Sequence, residues 1–132
     1  MSDTQLLENA LKLKWFTAEE INKASFGCDD GFLRMSMRTL IAFDHLRGVL
    51  GHSLKVTCAF RTREYDIGKE RSGYSDHCYG RGMDFAITDL AYALRIVAEA
   101  SKLGFNSFAI NLEEKFVHVG VRDKDRVTTW LY

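Results

Sequence analysis

Two separated segments of the chain carry histidine and aspartate side chains that could bind a metal ion. His77 lies in residues 75–84 (Ser-Asp-His-Cys-Tyr-Gly-Arg-Gly-Met-Asp), and Asp84 follows it seven residues later. His118 lies between two valines, so a strand there would point it away from the face that the valines occupy. Catalytic zinc usually has three protein ligands with nitrogen or oxygen donors in a tetrahedral arrangement, and its fourth position stays open for water or substrate. On spacing alone, a hydrogen-bonded arrangement without metal is the commoner outcome for such residues.

The remaining histidines and the cysteines give a weaker signal. His45 is predicted on the exposed side of a helix and His52 in the turn after it, where both are ordinary surface residues. Three cysteines without a Cys-x-x-Cys pair argue against a disulfide framework and against a thiolate zinc site. We interpret Cys28 and Cys58 as inert thiols, and we expect Cys78 to turn away from the metal into the core.

The composition excludes several classes of partner. The 132 residues are 46% hydrophobic and 27% charged, and eighteen basic residues balance eighteen acidic ones. This is an ordinary globular mixture for one domain, and a chain without net charge lacks the electrostatic attraction that nucleic acid requires. Apolar runs fall short of a membrane span, and the first residues lack a basic segment followed by an apolar one. We therefore expect no nucleic acid partner, no membrane span and no secretory signal.

Helices are predicted first along the chain, before the candidate ligands. A short amphipathic helix is predicted over residues 6–13, and Thr17 with Glu20 forms a capping box that starts a helix over residues 19–24. A longer helix is predicted from Asp30 or Gly31 to Gly51. Its apolar face is expected to contain Leu33, Met37, Leu40 and Ile41, widened by Phe43, Leu46 and Val49.

Strands are predicted around the candidate ligands. Residues 54–60 and 82–87 have strand character, and residues 61–81 between them read as a long irregular segment of the functional kind. Thr88 is predicted to cap a helix that ends at Gly104. Two further strands are predicted over residues 105–110 and 116–122, and residues 127–132 are expected to pack on the sheet. Helices followed by interleaved strands predict an α+β fold with a mostly antiparallel sheet.

Three motifs in the same order resemble those of the zinc D-Ala-D-Ala peptidases. Residues 75–84 resemble the signature Ser-x-His-x-x-Gly-x-Ala-x-Asp, with glycine where the signature has alanine. Residues 57–62 (Thr-Cys-Ala-Phe-Arg-Thr) resemble Thr-Ser-Gly-Tyr-Arg-Thr, and residues 116–122 (Phe-Val-His-Val-Gly-Val-Arg) resemble Phe-Val-His-Val-Asp-Val-Arg. Trp-Phe-Thr at residues 15–17 is similar to the opening of shorter members, so the resemblance covers residues 15–130. The superfamily includes L-alanyl-D-glutamate endopeptidases and the Hedgehog domain.

The resemblance implies a function for five residues. His77, Asp84 and His118 would bind zinc, which polarises the peptide carbonyl and activates water. Arg61 would match the arginine that engages the scissile carbonyl or the substrate carboxylate. Ser75 would match the motif serine beside the substrate. A Hedgehog-like or D-Ala-D-Ala-peptidase-like single domain is the implied fold.

The general base of the superfamily is missing from its usual positions. Members carry an acid three residues before the last histidine, or an acid or histidine two positions from it, where this chain has Lys115, Phe116 and Gly120. Glu114, one residue further back, is the candidate base if the turn folds over the metal. The alternative is that Glu113 and Glu114 are solvated charges of the turn.

The leading hypothesis is a zinc peptidase acting on D-amino-acid-containing stem peptides of bacterial peptidoglycan, as an endopeptidase or a carboxypeptidase. The missing signal favours a phage-type lysin, made in the cytoplasm and delivered to the cell wall by a holin or virion. The alternative is a non-catalytic zinc-binding module of the same fold that recognises a ligand or partner. A third possibility is the same fold without metal, in which His77 and Asp84 bind each other. The oligomeric state is left open.

Overall fold

The computed structural model describes residues 1–51, 54–122 and 128–131. Within this part of the chain, six helices and a 3-10 turn over Asp76–Tyr79 surround a five-stranded sheet. The helices are α1 (Asp3–Leu11), α2 (Ala18–Lys23), α3 (Gly31–Arg34), α4 (Met37–Leu50), α5 (Arg63–Gly68) and α6 (Leu90–Lys102). The strands are β1 (Val56–Cys58), β2 (Gly82–Ala86), β3 (Ser107–Asn111), β4 (Phe116–Gly120) and β5 (Thr128–Leu131). None of the described helices is long and apolar enough to cross a membrane.

The strands form one sheet in the order β1-β2-β4-β3-β5. β2 and β4 lie side by side in the centre, although α6 and β3 separate them in sequence. The pairs β1–β2, β2–β4 and β4–β3 are antiparallel, and β5 adds to β3 in the parallel direction. The predicted α+β fold with a mostly antiparallel sheet is therefore confirmed.

The two faces of the sheet carry different side chains because strand residues alternate. One face is apolar and packs in the hydrophobic core, where Phe43 of α4 contacts Phe85 with ring centroids 5.6 Å apart. This face includes Met83, Phe85, Val117 and Val119, all fully buried. On the opposite face, Asp84 pairs in register with His118, and Gly82 pairs with Gly120. The central strands therefore hold the core with one face and the predicted ligands with the other.

The long helix predicted from Asp30 or Gly31 to Gly51 is wrong, because two helices form instead. Met35 adopts an extended backbone, and the Ser36 hydroxyl accepts from the Thr39 amide as the N-cap of α4. The Ser36 amide donates to the carbonyl oxygen of Gly80 at 2.9 Å, which ties the break to the 3-10 turn. The predicted apolar face is confirmed for Leu40, Phe43 and Leu46 and wrong for the other four residues. Leu40, Phe43, Leu46 and Leu50 are buried, whereas Leu33, Met37, Ile41 and Val49 are exposed.

Two smaller predictions are also corrected. Residues 61–81 are not wholly irregular, because α5 and the 3-10 turn lie within them. The N-cap of α6 is Asp89, whose carboxylate accepts from the Tyr92 amide, and not Thr88. His45 is exposed on α4 as predicted, whereas the prediction for His52 falls outside the described residues. The C-terminal prediction holds for β5, and Val127 and Tyr132 also lie outside the described part.

Candidate metal centre

A short turn places His77 opposite the start of β2. Ser75 is extended and precedes the 3-10 turn Asp76–Tyr79, which ends at Gly80 with φ +67°. A side chain at Gly80 would overlap the backbone of residues 34–36, its Cβ lying 2.5 Å from the Arg34 carbonyl oxygen. Glycine therefore lets the turn pack directly on the break between α3 and α4.

The three predicted ligands meet at one carboxylate oxygen. Oδ1 of Asp84 lies 3.2 Å from Nε2 of His77 and 2.8 Å from Nδ1 of His118. The two imidazole rings have centroids 4.9 Å apart with planes at 69°. All three side chains are buried, with His118 only 2% exposed. The fold thus brings together residues from the 3-10 turn, β2 and β4.

The outer nitrogen of each imidazole is already engaged, and this decides which atoms face Asp84. Nδ1 of His77 lies 2.7 Å from the carbonyl oxygen of Ala59, which can only accept, so Nδ1 donates. Nε2 of His118 lies 2.8 Å from the Asp76 carboxylate and donates to it. In the neutral tautomers, both remaining lone pairs would point at the Asp84 oxygen. A cation between these three atoms relieves that repulsion, and nitrogen and oxygen donors of this kind suit zinc.

The electrostatics of the centre favour a bound positive charge. Burial alone would lower the pKa of His77, but Asp84 and then Cys58 outweigh burial and hold that pKa well above its ordinary value. Burial alone would raise the pKa of Asp84, but His77 and His118 hold it well below its usual range. A metal ion and protons therefore compete for the same nitrogen atoms.

Cys58 lies closer to the centre than its interpretation as an inert thiol suggests. Cys58, His77 and Asp84 offer donor atoms within 4.8 Å of one another, and all three residues are buried, so this group could hold a metal ion. The Cys58 sulfur lies 3.7 Å from Nδ1 of His77, the nitrogen that Ala59 occupies. Cys78 is half-buried, and its sulfur lies 3.5 Å from the Ser75 hydroxyl.

Arg61 and Ser75, the predicted substrate-binding residues, share one buried carboxylate. Nη1 of Arg61 and Oγ of Ser75 both donate to Oδ1 of Asp66, each at 3.1 Å. Nη2 of Arg61 lies 3.8 Å from Oδ2 of Asp84, which places the guanidinium beside the candidate metal ligands. Burial opposes its charge, but Cys58 and Asp66 outweigh burial, so the pKa of Arg61 is raised and the side chain stays cationic.

Glu113 and Glu114 are not brought to the centre. Both are exposed in the turn between β3 and β4, where the Glu114 amide donates to Oδ1 of Asn111 at 2.8 Å. Glu114 lies in the turn before β4, and the strand from Phe116 to His118 alone spans about 7 Å, since a strand advances about 3.3 Å per residue. Among the described contacts, none joins either carboxylate to His77, Asp84 or His118.

Sequence reasoning missed two carboxylates that support the centre. Asp66 is fully buried beneath Arg61 and Ser75, and Asp76 is buried beneath His118. Asp76 did have a signal, because it lies between the motif residues Ser75 and His77. Asp66 had little signal, since it is one of several charges in residues 61–81.

The fold and the centre define a class of protein: a small α+β domain with a buried histidine–aspartate centre suited to a transition metal. Within that class, the chain belongs to the peptidase M15 family, whose model, described as Peptidase M15, matches residues 14–120. Among curated proteins, no sequence matches this chain. Members of this family are metallopeptidases, in agreement with the superfamily that the three sequence motifs predicted.

Proposed function

We propose that the protein is a zinc peptidase that hydrolyses D-amino-acid-containing stem peptides of bacterial peptidoglycan. The observation that carries the proposal is the meeting of His77 and His118 at the Asp84 carboxylate, within a chain of the peptidase M15 family. The substrate class follows from the motif resemblance to D-Ala-D-Ala and L-alanyl-D-glutamate peptidases.

His77, Asp84 and His118 would hold the zinc ion. Zinc in such a site acts as a Lewis acid toward a peptide carbonyl and lowers the pKa of water. Two neutral imidazoles and one carboxylate cancel only one of its two charges, which leaves the centre electrophilic. Ala59 and Asp76 hold the two rings with their lone pairs toward Asp84, so these ligands are oriented before any metal arrives.

Arg61 would bind the oxygen of the scissile carbonyl or a carboxylate of the substrate. Asp66 fixes one end of the guanidinium, and the Cys58 sulfur accepts from Nε at 3.1 Å. The side chain keeps 18% of its surface exposed, so part of this fixed charge faces solvent and a ligand. The Ser75 hydroxyl donates a hydrogen bond to Asp66, so the hydroxyl oxygen of Ser75 can accept a hydrogen bond from a substrate amide.

The site of action follows from the substrate. Peptidoglycan lies outside the cytoplasmic membrane, so we place the activity at the cell wall, as in a phage-type lysin delivered by a holin or virion. The motif resemblance to a superfamily that includes L-alanyl-D-glutamate endopeptidases supports this role.

The second candidate is a non-catalytic zinc-binding module of the same fold. It is favoured by the exposed position of Glu113 and Glu114, since neither carboxylate is placed to take a proton beside Asp84. A module of this kind would keep the metal ligands and bind a peptide or partner without cleaving it.

The deciding experiment combines zinc analysis of the purified protein with mass spectrometry of peptides released from purified peptidoglycans. It compares the wild type with His118→Ala, Glu114→Ala and the matched control Glu113→Ala. For a peptidase, zinc near one per chain and peptide release should both disappear in His118→Ala. Loss of release with retained zinc in Glu114→Ala alone would identify Glu114 as the base, whereas unchanged release would show that this prediction is wrong. Zinc without release from any peptidoglycan type would favour the module.

A further inference from the structure

The buried carboxylate of Asp76 accepts hydrogen bonds from three side chains. Oδ2 accepts from the Ser107 hydroxyl at 2.6 Å and from Nε2 of His118 at 2.8 Å, and Oδ1 accepts from Nε of Arg122 at 2.8 Å. Asp76 keeps only 5% of its surface exposed. Charge-assisted hydrogen bonds of this kind in a low-dielectric site hold both partners rigidly.

His118 therefore lies between two carboxylates that have different roles. Asp84 faces His77 and Nδ1 of His118 with Oδ1. Arg61 approaches only the other oxygen of Asp84, Oδ2, at 3.8 Å, so Oδ1 is available to a metal ion. Asp76 faces Nε2 on the other edge of the ring, and the guanidinium of Arg122 already neutralises it. A second cation beside Arg122 is electrostatically unfavourable, so Asp84 marks the metal side of the ring and Asp76 the outer side.

Two paired glycines make the room that Asp76 occupies. A Cβ at Gly120 would lie 2.7 Å from Oδ2 of Asp76, and a Cβ at Gly82 would lie 2.7 Å from Cβ of Asp76. Gly82 and Gly120 are register partners on β2 and β4, on the same face of the sheet as His118. The motif that residues 116–122 resemble has aspartate where this chain has Gly120. The carboxylate of Asp76 thus enters the space that a side chain at position 120 would fill.

We propose that Asp76 is the positioning residue of the metal centre, and that it acts on His118 from the 3-10 turn, through the space that a side chain at position 120 would fill. It fixes the Nε2–H tautomer of His118 and aims Nδ1 at the metal position. The inference rests on the proposed zinc site but concerns a residue that would touch neither metal nor substrate.

The first test measures zinc affinity by competition with a chromophoric chelator in the wild type and in Asp76→Asn. Loss of an outer carboxylate typically weakens metal binding by about 10–100-fold, and we expect a loss in this range. Ser107→Ala is the matched control, because it removes another donor to the same oxygen and leaves the Asp76–His118 contact; we expect less than about a threefold change.

Long-range proton–nitrogen NMR of the zinc-loaded protein separates positioning from a merely structural role. In the wild type, His118 should show a protonated Nε2 with a downfield proton protected from exchange, and a metal-shifted Nδ1. In Asp76→Asn that proton should move upfield and exchange faster, whereas a structural role would lower stability and leave both signals unchanged.

A second test moves the carboxylate from position 76 to position 120, and it can refute the proposal even if a single variant folds poorly. Gly120 does not have a positive φ, and its nearest neighbour, Oδ2 of Asp76, is removed in Asp76→Ser. The Arg81 carbonyl oxygen, 3.1 Å from an added Cβ, must then move by a few tenths of an ångström for aspartate to fit. Asp76→Ser should lose zinc affinity, and Asp76→Ser with Gly120→Asp should recover to within about threefold of the wild type. Gly120→Asp alone should fold poorly, because two carboxylates would share one space.

The outcomes distinguish this inference from the proposed function. A wild type that binds no zinc would overturn both. A wild type that binds zinc tightly, with unchanged affinity and NMR signals in Asp76→Asn and no recovery in the double variant, would overturn the role of Asp76 alone.

Discussion

Replacing Gly82 by alanine tests whether the metal centre is as tightly packed as the structure indicates. The added methyl carbon would lie 2.7 Å from Cβ of Asp76 and 2.8 Å from Cε1 of His118. Carbon atoms attract one another at about 3.5–4.0 Å, so both contacts are strongly repulsive. Neither neighbour can retreat easily, because Asp76 accepts three hydrogen bonds and His118 is held by two carboxylates.

The expected cost of Gly82→Ala is in the upper half of the range for overpacked sites, about 2–3 kcal/mol. For a domain of this size, that corresponds to a fall in melting temperature of about 6–15 °C. Because the clash moves His118 directly, zinc affinity should also fall, by about tenfold or more. Denaturant unfolding of the metal-free protein and a chelator competition measure the two effects separately.

Gly68→Ala is the matched control for this experiment. Gly68 ends α5, and an added Cβ there meets nothing within 4 Å. Its stability should change by less than about 1 kcal/mol, in either direction. If Gly82→Ala proves as stable as Gly68→Ala and keeps wild-type zinc affinity, the close packing of Asp76 and His118 against β2 is refuted.

Three further predictions concern the ligands and the carboxylate beneath Arg61. His118→Ala and Asp84→Ala should each abolish stoichiometric zinc in elemental analysis, and unchanged zinc content in both would contradict the ligand assignment. Removing zinc from the wild type with a chelator should lower its melting temperature, because a metal that binds only the folded state stabilises it; an unchanged value in calorimetry would argue against zinc in the folded centre. Asp66→Asn should destabilise the protein by about 1–3 kcal/mol near neutral pH. Burial raises the pKa of Asp66, but the Gly73 amide, Arg61 and Ser75 outweigh burial and lower it. A lowered folded-state pKa contributes stability above the unfolded pKa near 4 and loses it as pH falls further, so the gap between wild type and Asp66→Asn should be constant from about pH 5 to 8 and shrink below about pH 4. A gap that stays the same at pH 3 in urea titrations would show that the Asp66 charge is not the cause.

The sequence was most informative where chemistry restricts both residue type and spacing. Residue type and the strand alternation around His118 made His77, Asp84 and His118 candidate ligands, and the motif resemblance favoured zinc over a metal-free arrangement. The alternation of apolar and polar residues also predicted the ends of β2 and β4 to within two residues. Local patterns were therefore sufficient for β2 and β4, whereas the ligand assignment stays a prediction.

Contacts formed only in the folded chain account for what was missed. The break between α3 and α4 is stabilised by a hydrogen bond from the Ser36 amide to the Gly80 carbonyl, 44 residues away in sequence. Apolar periodicity contains no information about such a distant contact, and it therefore predicted one continuous helix. Asp76 supports His118 from a separation of 42 residues. A carboxylate in a polar segment looks like a solvated charge until its buried partners are known.

The separation of the candidate ligands along the chain has a consequence for folding. His77 and Asp84 lie on one turn and the strand that follows it, whereas His118 comes 34 residues after Asp84 and meets it only when β4 pairs with β2. A newly made chain therefore offers two donor residues well before the third, and two donors hold a metal ion more weakly than three. Closing the loop through α6 and β3 costs chain entropy that the central strand pairing must first overcome. If zinc requires all three proposed ligands, it would bind only after β2 and β4 have paired, and it would not nucleate this fold.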